Sequence, residues 1–155
     1  MSLPKKTFLF VDDDEDDRNL FSDTLKMIDS EIITYEAING KEALTLLTKK
    51  TQHLPDVIFL DINMPAMSGW ECLKKIKENE HLKNIPVVIL STSSNIRDVG
   101  IAVELDAAFY WVKPTSFLLI KDILSLFATK TIQDLRMAIS GRYDFKGLFY
   151  TALNR

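Results

Sequence analysis

Three observations predict an α/β fold in which a parallel sheet is covered by helices on both faces. Short β-rich runs alternate with longer stretches of helical period, two of the runs (VIFL and VVIL) are apolar throughout, and turn formers separate the segments. A strand buried on both faces reads as a continuous apolar run, whereas a half-exposed strand alternates.

The elements follow in order. The strand-like run TFLFVD leads into a helix from about Asp16 to Met27, and IITYEA leads into a helix from about Gly40 to Lys49. DVIFLD precedes a helix from about Gly69 to Asn79, PVVILST one from about Ile96 to Leu105, and AFYWVK one from about Phe117 to Phe127. Breakers stand between them at Asn39-Gly40, Leu54-Pro55-Asp56, Met64-Pro65, Ser68-Gly69, Ile85-Pro86 and Lys113-Pro114.

With 155 residues, 46% of them hydrophobic, the chain can bury one compact core. The net charge of -3 is small and the acids are concentrated locally, so neither a general nucleic-acid field nor an anionic-membrane field is expected. Cys72 is the sole cysteine, which excludes an internal disulfide framework, fits a reducing compartment and reads as a buried helix thiol. No apolar run approaches the roughly 18 to 20 residues needed to span a bilayer, and no signal peptide is apparent, so a soluble cytoplasmic protein is expected. His53 and His81 lie in loop-like contexts and read as surface residues, while Trp70, Phe109 and Trp111 read as packing residues.

In open parallel α/β sheets, ligands bind outside the carboxyl ends of the strands at the topological switch point. Asp12, Asp13, Asp61, Ser91 and Lys113 all stand at such ends. Mg2+ takes one or two carboxylates and keeps several waters. Asp13 and Asp61 can supply the carboxylates, Asp12 can orient metal-bound water, and the Asn63 carbonyl can be a third ligand. Asp61 is the candidate nucleophile toward phosphorus, forming an acyl phosphate. Its attack on an anionic group requires neutralising cations, which Mg2+ and Lys113 provide, while the Ser91 hydroxyl can bond a phosphoryl oxygen. The acids from Asp14 to Asp17 read as complements to a helix dipole.

These residues resemble the receiver domain of two-component response regulators over about Thr7 to Phe127. VDD at Val11 to Asp13 resembles that family's acidic pair, DINMPAMSG at Asp61 to Gly69 its phospho-acceptor turn, VVILST its switch hydroxyl at Ser91, and YWVKP its Tyr110 and Lys113. The resemblance implies a flavodoxin-like, doubly wound, five-stranded parallel sheet of order 2-1-3-4-5 with five flanking helices. It implies Asp61 as acceptor of a phosphoryl group from a phosphohistidine, Mg2+ as cofactor with Mn2+ as substitute, and Ser91 and Tyr110 as switch residues. A cis peptide between Lys113 and Pro114 is also implied. Thr92 stands where a smaller residue is usual, Asp106 where Gly is frequent, and Phe109 adds a second bulky ring beside Tyr110. Asn63 and Ser93 flank the expected water approach and are expected to tune phosphate lifetime.

On this reading a receiver domain occupies residues 5–127, and residues 128–155 form an extension too short for a DNA-binding output domain. That extension carries five basic residues against two acids, a formal +3. TIQDLRMAIS places Ile132, Leu135 and Ile139 on one helical stripe, and DFKGLFYTALNR does the same with Phe145, Leu148, Phe149 and Leu153, so a packing helical arm is expected.

The implied function is a stand-alone phosphorylation switch, not an enzyme acting on other substrates. It would be served by a histidine kinase or histidine phosphotransfer protein, act on an unknown downstream protein, and dimerise or not through its exposed helices. Haloacid-dehalogenase-like phosphohydrolases use the same chemical groups, but they place a second Asp two residues after the nucleophile, where this chain has Asn63. A module that keeps the fold without phosphorylation is disfavoured because every reactive group is present.

Overall fold

The computed structural model describes residues 6–49, 53–139 and 147–151. Five strands, β1 (Thr7–Val11), β2 (Ile33–Ala37), β3 (Val57–Asp61), β4 (Val87–Ser91) and β5 (Phe109–Val112), are parallel and ordered β2-β1-β3-β4-β5. Five helices alternate with them: α1 (Glu15–Ile28), α2 (Gly40–Leu47), α3 (Gly69–Glu78), α4 (Ile96–Glu104) and α5 (Phe117–Thr129). The predicted order and alternation hold, with helix ends within two residues of expectation.

Side chains of successive strand residues point to opposite faces, and this splits the interior in two. Phe8, Phe10, Phe59, Phe109 and Trp111 face α1 and α5, whose Phe21, Leu25, Ile120, Ile123, Leu124 and Phe127 complete one core. Phe10 stacks on Phe21 and Phe59 at ring distances of 5.3 and 4.9 Å. Leu9, Val11, Ile58, Leu60, Ile89 and Tyr110 face α2, α3 and α4 in the other core. β1, β3 and β4 are buried along their whole length, whereas β2, at the sheet edge, is partly exposed.

Helix starts are set by side-chain caps. Asp14 accepts from the amides of Asp16 and Asp17, Asn39 from Glu42, Ser68 from Glu71 and Asn95 from Arg97. Asp106 has φ 61°, the left-handed conformation anticipated where Gly is frequent; Ala66, in the turn after β3, has φ 67°. Cys72 is buried on α3, and His53 and His81 are exposed, as expected.

Two expectations are overturned. The Lys113–Pro114 peptide is trans, since the described chain contains no cis bond; trans is the ordinarily preferred isomer even before proline. The extension also differs in part. Its first stripe forms helix α6 (Ile132–Ile139), burying Leu135 and Ile139, but Leu148–Tyr150 forms a strand, β6, where a second helical stripe was expected. β6 pairs antiparallel with β5, making a sixth strand at the edge. The pairing explains the outcome, because β5 offers free backbone groups and an isolated three-residue strand has no stability of its own. Phe145 and Leu153 of that stripe lie outside the described residues.

An acidic site at the carboxyl ends of the strands

Strand register delivers the site. Val11 pairs with Leu60, Asp61 with Leu90, and Ser91 with Val112. The residues just past or at these ends, Asp12, Asp61, Ser91 and Lys113, are thereby brought to one edge of the sheet. Gly69 lets α3 start close to that edge: a Cβ there would lie 2.3 Å from the Asp61 carbonyl oxygen and 2.6 Å from the Ile62 Cα. The Gly69 amide donates to the Ile62 carbonyl at 3.1 Å, fixing the turn.

Carboxylate oxygens of Asp12, Asp13 and Asp61 lie within 4.8 Å of one another. Asp12 and Asp61 are buried and Asp13 is exposed, so the cluster opens to solvent on one side. Lys113 Nζ donates to Asp12 Oδ2 at 2.9 Å, Asp17 Oδ2 at 3.0 Å and Asp61 Oδ2 at 3.3 Å. Three carboxylates thus share one ammonium, and Asp13 adds a fourth negative charge to the cluster, leaving an excess of negative charge. All-oxygen donors with unneutralised charge are the set a hard divalent cation takes, so the residues fit one.

The groups are oriented by their backbone surroundings. Asp61 Oδ1 accepts from the Asn63 amide at 3.0 Å, and Asp12 Oδ1 from the Asp14 amide at 3.0 Å. Arg18 donates to the Asp12 carbonyl at 2.7 Å while its Nε lies 3.4 Å from Glu36, bracing the loop after β1. Ser91 is fully buried; its Oγ accepts from the Ser93 amide at 3.0 Å and its carbonyl from the Lys113 amide at 2.7 Å. Tyr110 is also buried, and its hydroxyl donates to the Ser93 carbonyl at 2.6 Å. The ring of Phe149 meets that of Tyr110 edge-on at 6.3 Å.

Burial lifts the Asp61 carboxyl to about 6, a rise opposed by the Asn63 amide and the Lys113 charge and reinforced by Asp12. Burial works against the Lys113 charge, but the hydrogen bonds it donates to Asp12 and Asp17 and the charges of Asp61 and Asp12 outweigh it and hold the ammonium above the ordinary lysine value. Lys113 is therefore a permanent cation at neutral pH.

Every residue singled out in the sequence as a site candidate lies in this neighbourhood, and two contacts were missed. Asp17 bonds Lys113 directly instead of only complementing the α1 dipole, and Arg18 holds Asp12. The acid run concealed Asp17, since each carboxylate in it has the same dipole explanation; its place in the first turn of α1, near the strand ends, was the available signal.

A five-stranded parallel sheet of this order with an acidic cluster, a hydroxyl and a lysine at its carboxyl edge is the receiver architecture, and the response regulator receiver domain family matches residues 8–125. The chain belongs to that family, and its function is phosphorelay signal transduction through aspartate phosphorylation. Among its relatives is the response regulator Rcp1 of Synechocystis sp. (strain ATCC 27184 / PCC 6803 / Kazusa), 36% identical over 131 residues covering 81% of this chain and 86% of Rcp1. The Mn2+-bound form of Rcp1 superimposes with a TM-score of 0.74 at 31% identity, covering 81% of this chain and 96% of that structure. The phosphorylated cyanobacterial phytochrome response regulator RcpA gives 0.75 at 31% identity, covering 83% and 98%. Receiver domains of this kind are signal switches that meet histidine kinases and downstream effectors. Among the described residues, no helix is long and apolar enough to cross a membrane.

Proposed function

We propose that Asp61 accepts the phosphoryl group and that the chain is a Mg2+-dependent switch catalysing only its own phosphorylation and dephosphorylation. The observation that carries this reading is the Lys113 ammonium 3.3 Å from Asp61, beside three carboxylates within 4.8 Å of one another. Asp12, Asp13, Asp61 and the Asn63 carbonyl hold the cation, with Mn2+ able to substitute, as the Mn2+-bound form of Rcp1 supports. When bound, the cation supplies neutralisation of the phosphoryl oxygens.

In the transfer, an Asp61 carboxylate oxygen forms a bond to phosphorus as the bond from phosphorus to the donor histidine nitrogen breaks. The imidazole leaves with the electron pair. Lys113 takes up charge on the phosphoryl oxygens, and the Ser91 hydroxyl, released from the Ser93 amide, donates to one of them. The phosphoryl group brings about -1.5 to -2 charges and three acceptor oxygens, enough to shift a pre-existing equilibrium of loop and helix arrangements. Ser91 and Tyr110 transmit the shift, because Tyr110 hangs on the carbonyl of Ser93, whose amide donates to Ser91 Oγ.

The receiver occupies residues 5–127 and the extension 128–155 supplements it. The donor is a histidine kinase or a histidine phosphotransfer protein, the recipient a downstream protein, and a homodimer is compatible with the exposed helix faces; all belong to the cytoplasm. The test is incubation with acetyl phosphate and Mg2+ followed by intact mass measurement. The parent should gain one phosphoryl group, and Asp61→Asn or excess chelator should abolish the gain. Turnover of a generic phosphomonoester at enzyme-like rates would contradict the switch reading.

A further inference from the structure

Asp17 stands outside the three clustered carboxylates, yet its Oδ2 lies 3.0 Å from Lys113 Nζ across 96 residues of sequence. Its backbone amide is held by the Asp14 cap, so the position of the residue is fixed by the start of α1. An ammonium has three protons, and here they meet three carboxylates, with the acceptor Asp61 the most distant of them.

We propose that Asp17 is a positioning residue for phosphoryl transfer, a tether that shares the Lys113 ammonium with Asp12 and Asp61 in the unmodified protein and leaves its contact with Asp61 the longest of the three. The proposal rests on Asp61 being the acceptor. Transfer requires Lys113 to turn toward the incoming phosphoryl oxygens, and Asp17 opposes that movement twice. It competes for the cation, and it adds a like charge near an approaching anion. Side chains of Asp12 and Asp61 are 2% and 7% exposed, against 34% for Asp17, so the Asp17 contact is the weakly shielded one and the one that opens most cheaply.

Removing the tether should therefore accelerate phosphorylation. At saturating Mg2+, Asp17→Asn should take up phosphate from acetyl phosphate roughly threefold to fivefold faster than the parent, the size set by one partly exposed ion pair. Asp17→Glu should return the rate toward the parent. Asp16→Asn removes an equal charge from an exposed neighbour and should leave the rate unchanged.

A second readout needs no phosphoryl transfer. Freed from Asp17, Lys113 settles on Asp12 and Asp61 and competes with a divalent cation, so Mn2+ affinity measured by calorimetry should fall about threefold in Asp17→Asn. In a Lys113→Met background the same substitution should cost no more than Asp16→Asn does, since the two residues act as a coupled pair. Equal rates for Asp17→Asn and the parent, or equal acceleration by Asp16→Asn, would overturn the tether. So would an Mn2+ loss that persists without Lys113. Failure of the parent to accept phosphate would instead defeat the reading of Asp61, and the Mn2+ cycle would still decide the tether.

Discussion

At Asp61, burial and charge pull in opposite directions, and the balance sets a pH dependence. Burial comes first and lifts the carboxyl from 3.8 to about 6 in the fold. A raised acid contributes stability that is fully present below its unfolded value and is lost as pH rises through the folded one, here between about 4 and 6. Without metal, Asp61→Asn should therefore stabilise the protein at pH 7.5 by on the order of 2 kcal/mol. Thermal unfolding would show a midpoint higher by several degrees. The advantage should shrink at pH 4.5, and an unchanged midpoint at pH 7.5 would contradict the account. Divalent cation should reverse the order, because it stabilises only the protein that keeps the carboxylate.

Between elements, the tightest joint is the approach of α3 to the end of β3. A methyl group at Gly69 would meet the backbone of Asp61 and Ile62, and backbone cannot swing aside as a flexible side chain can. Gly69→Ala should cost about 3 kcal/mol, read as a lowered urea midpoint. It should also slow phosphorylation, since the Asp61 carbonyl and the turn carrying Asn63 must shift together. Gly40 is close to Met67 and Cys72, but side chains can yield there, so Gly40→Ala is expected to be milder.

For the molecule as a whole, the described residues of the extension are part of the packed structure. Leu135, Ile139 and Leu148 are buried in the same core as Phe109, Trp111 and Phe127. A chain ended at Phe127 should retain its helical circular dichroism yet lose on the order of 3 kcal/mol, given the apolar side chains uncovered. Rapid proteolysis of residues 128–139 in the intact protein would contradict such packing. The five parallel strands were legible in the sequence because each is a short β-rich run closed by a turn former, and Asp12, Asp61 and Ser91 were legible because they end apolar runs. β6 was not, because three residues following Gly147 carry too little pattern to separate strand from helix, and their state is decided by β5, 41 residues earlier at Phe109↔Tyr150 and 37 at Trp111↔Leu148. Lys113 was found for its position, but its sharing among three acids is a property of the assembled edge.

The placement of β6 has a bearing on how the protein behaves in concentrated solution. An uncovered β5 would present unpaired amides and carbonyls along a row containing Phe109, Tyr110 and Trp111, a ready template for sticking to copies of itself. β6 caps that row and ends after three residues, leaving a rim too brief to seed indefinite stacking. Colloidal tolerance is thus supplied by three residues that lie beyond the region matching the receiver family.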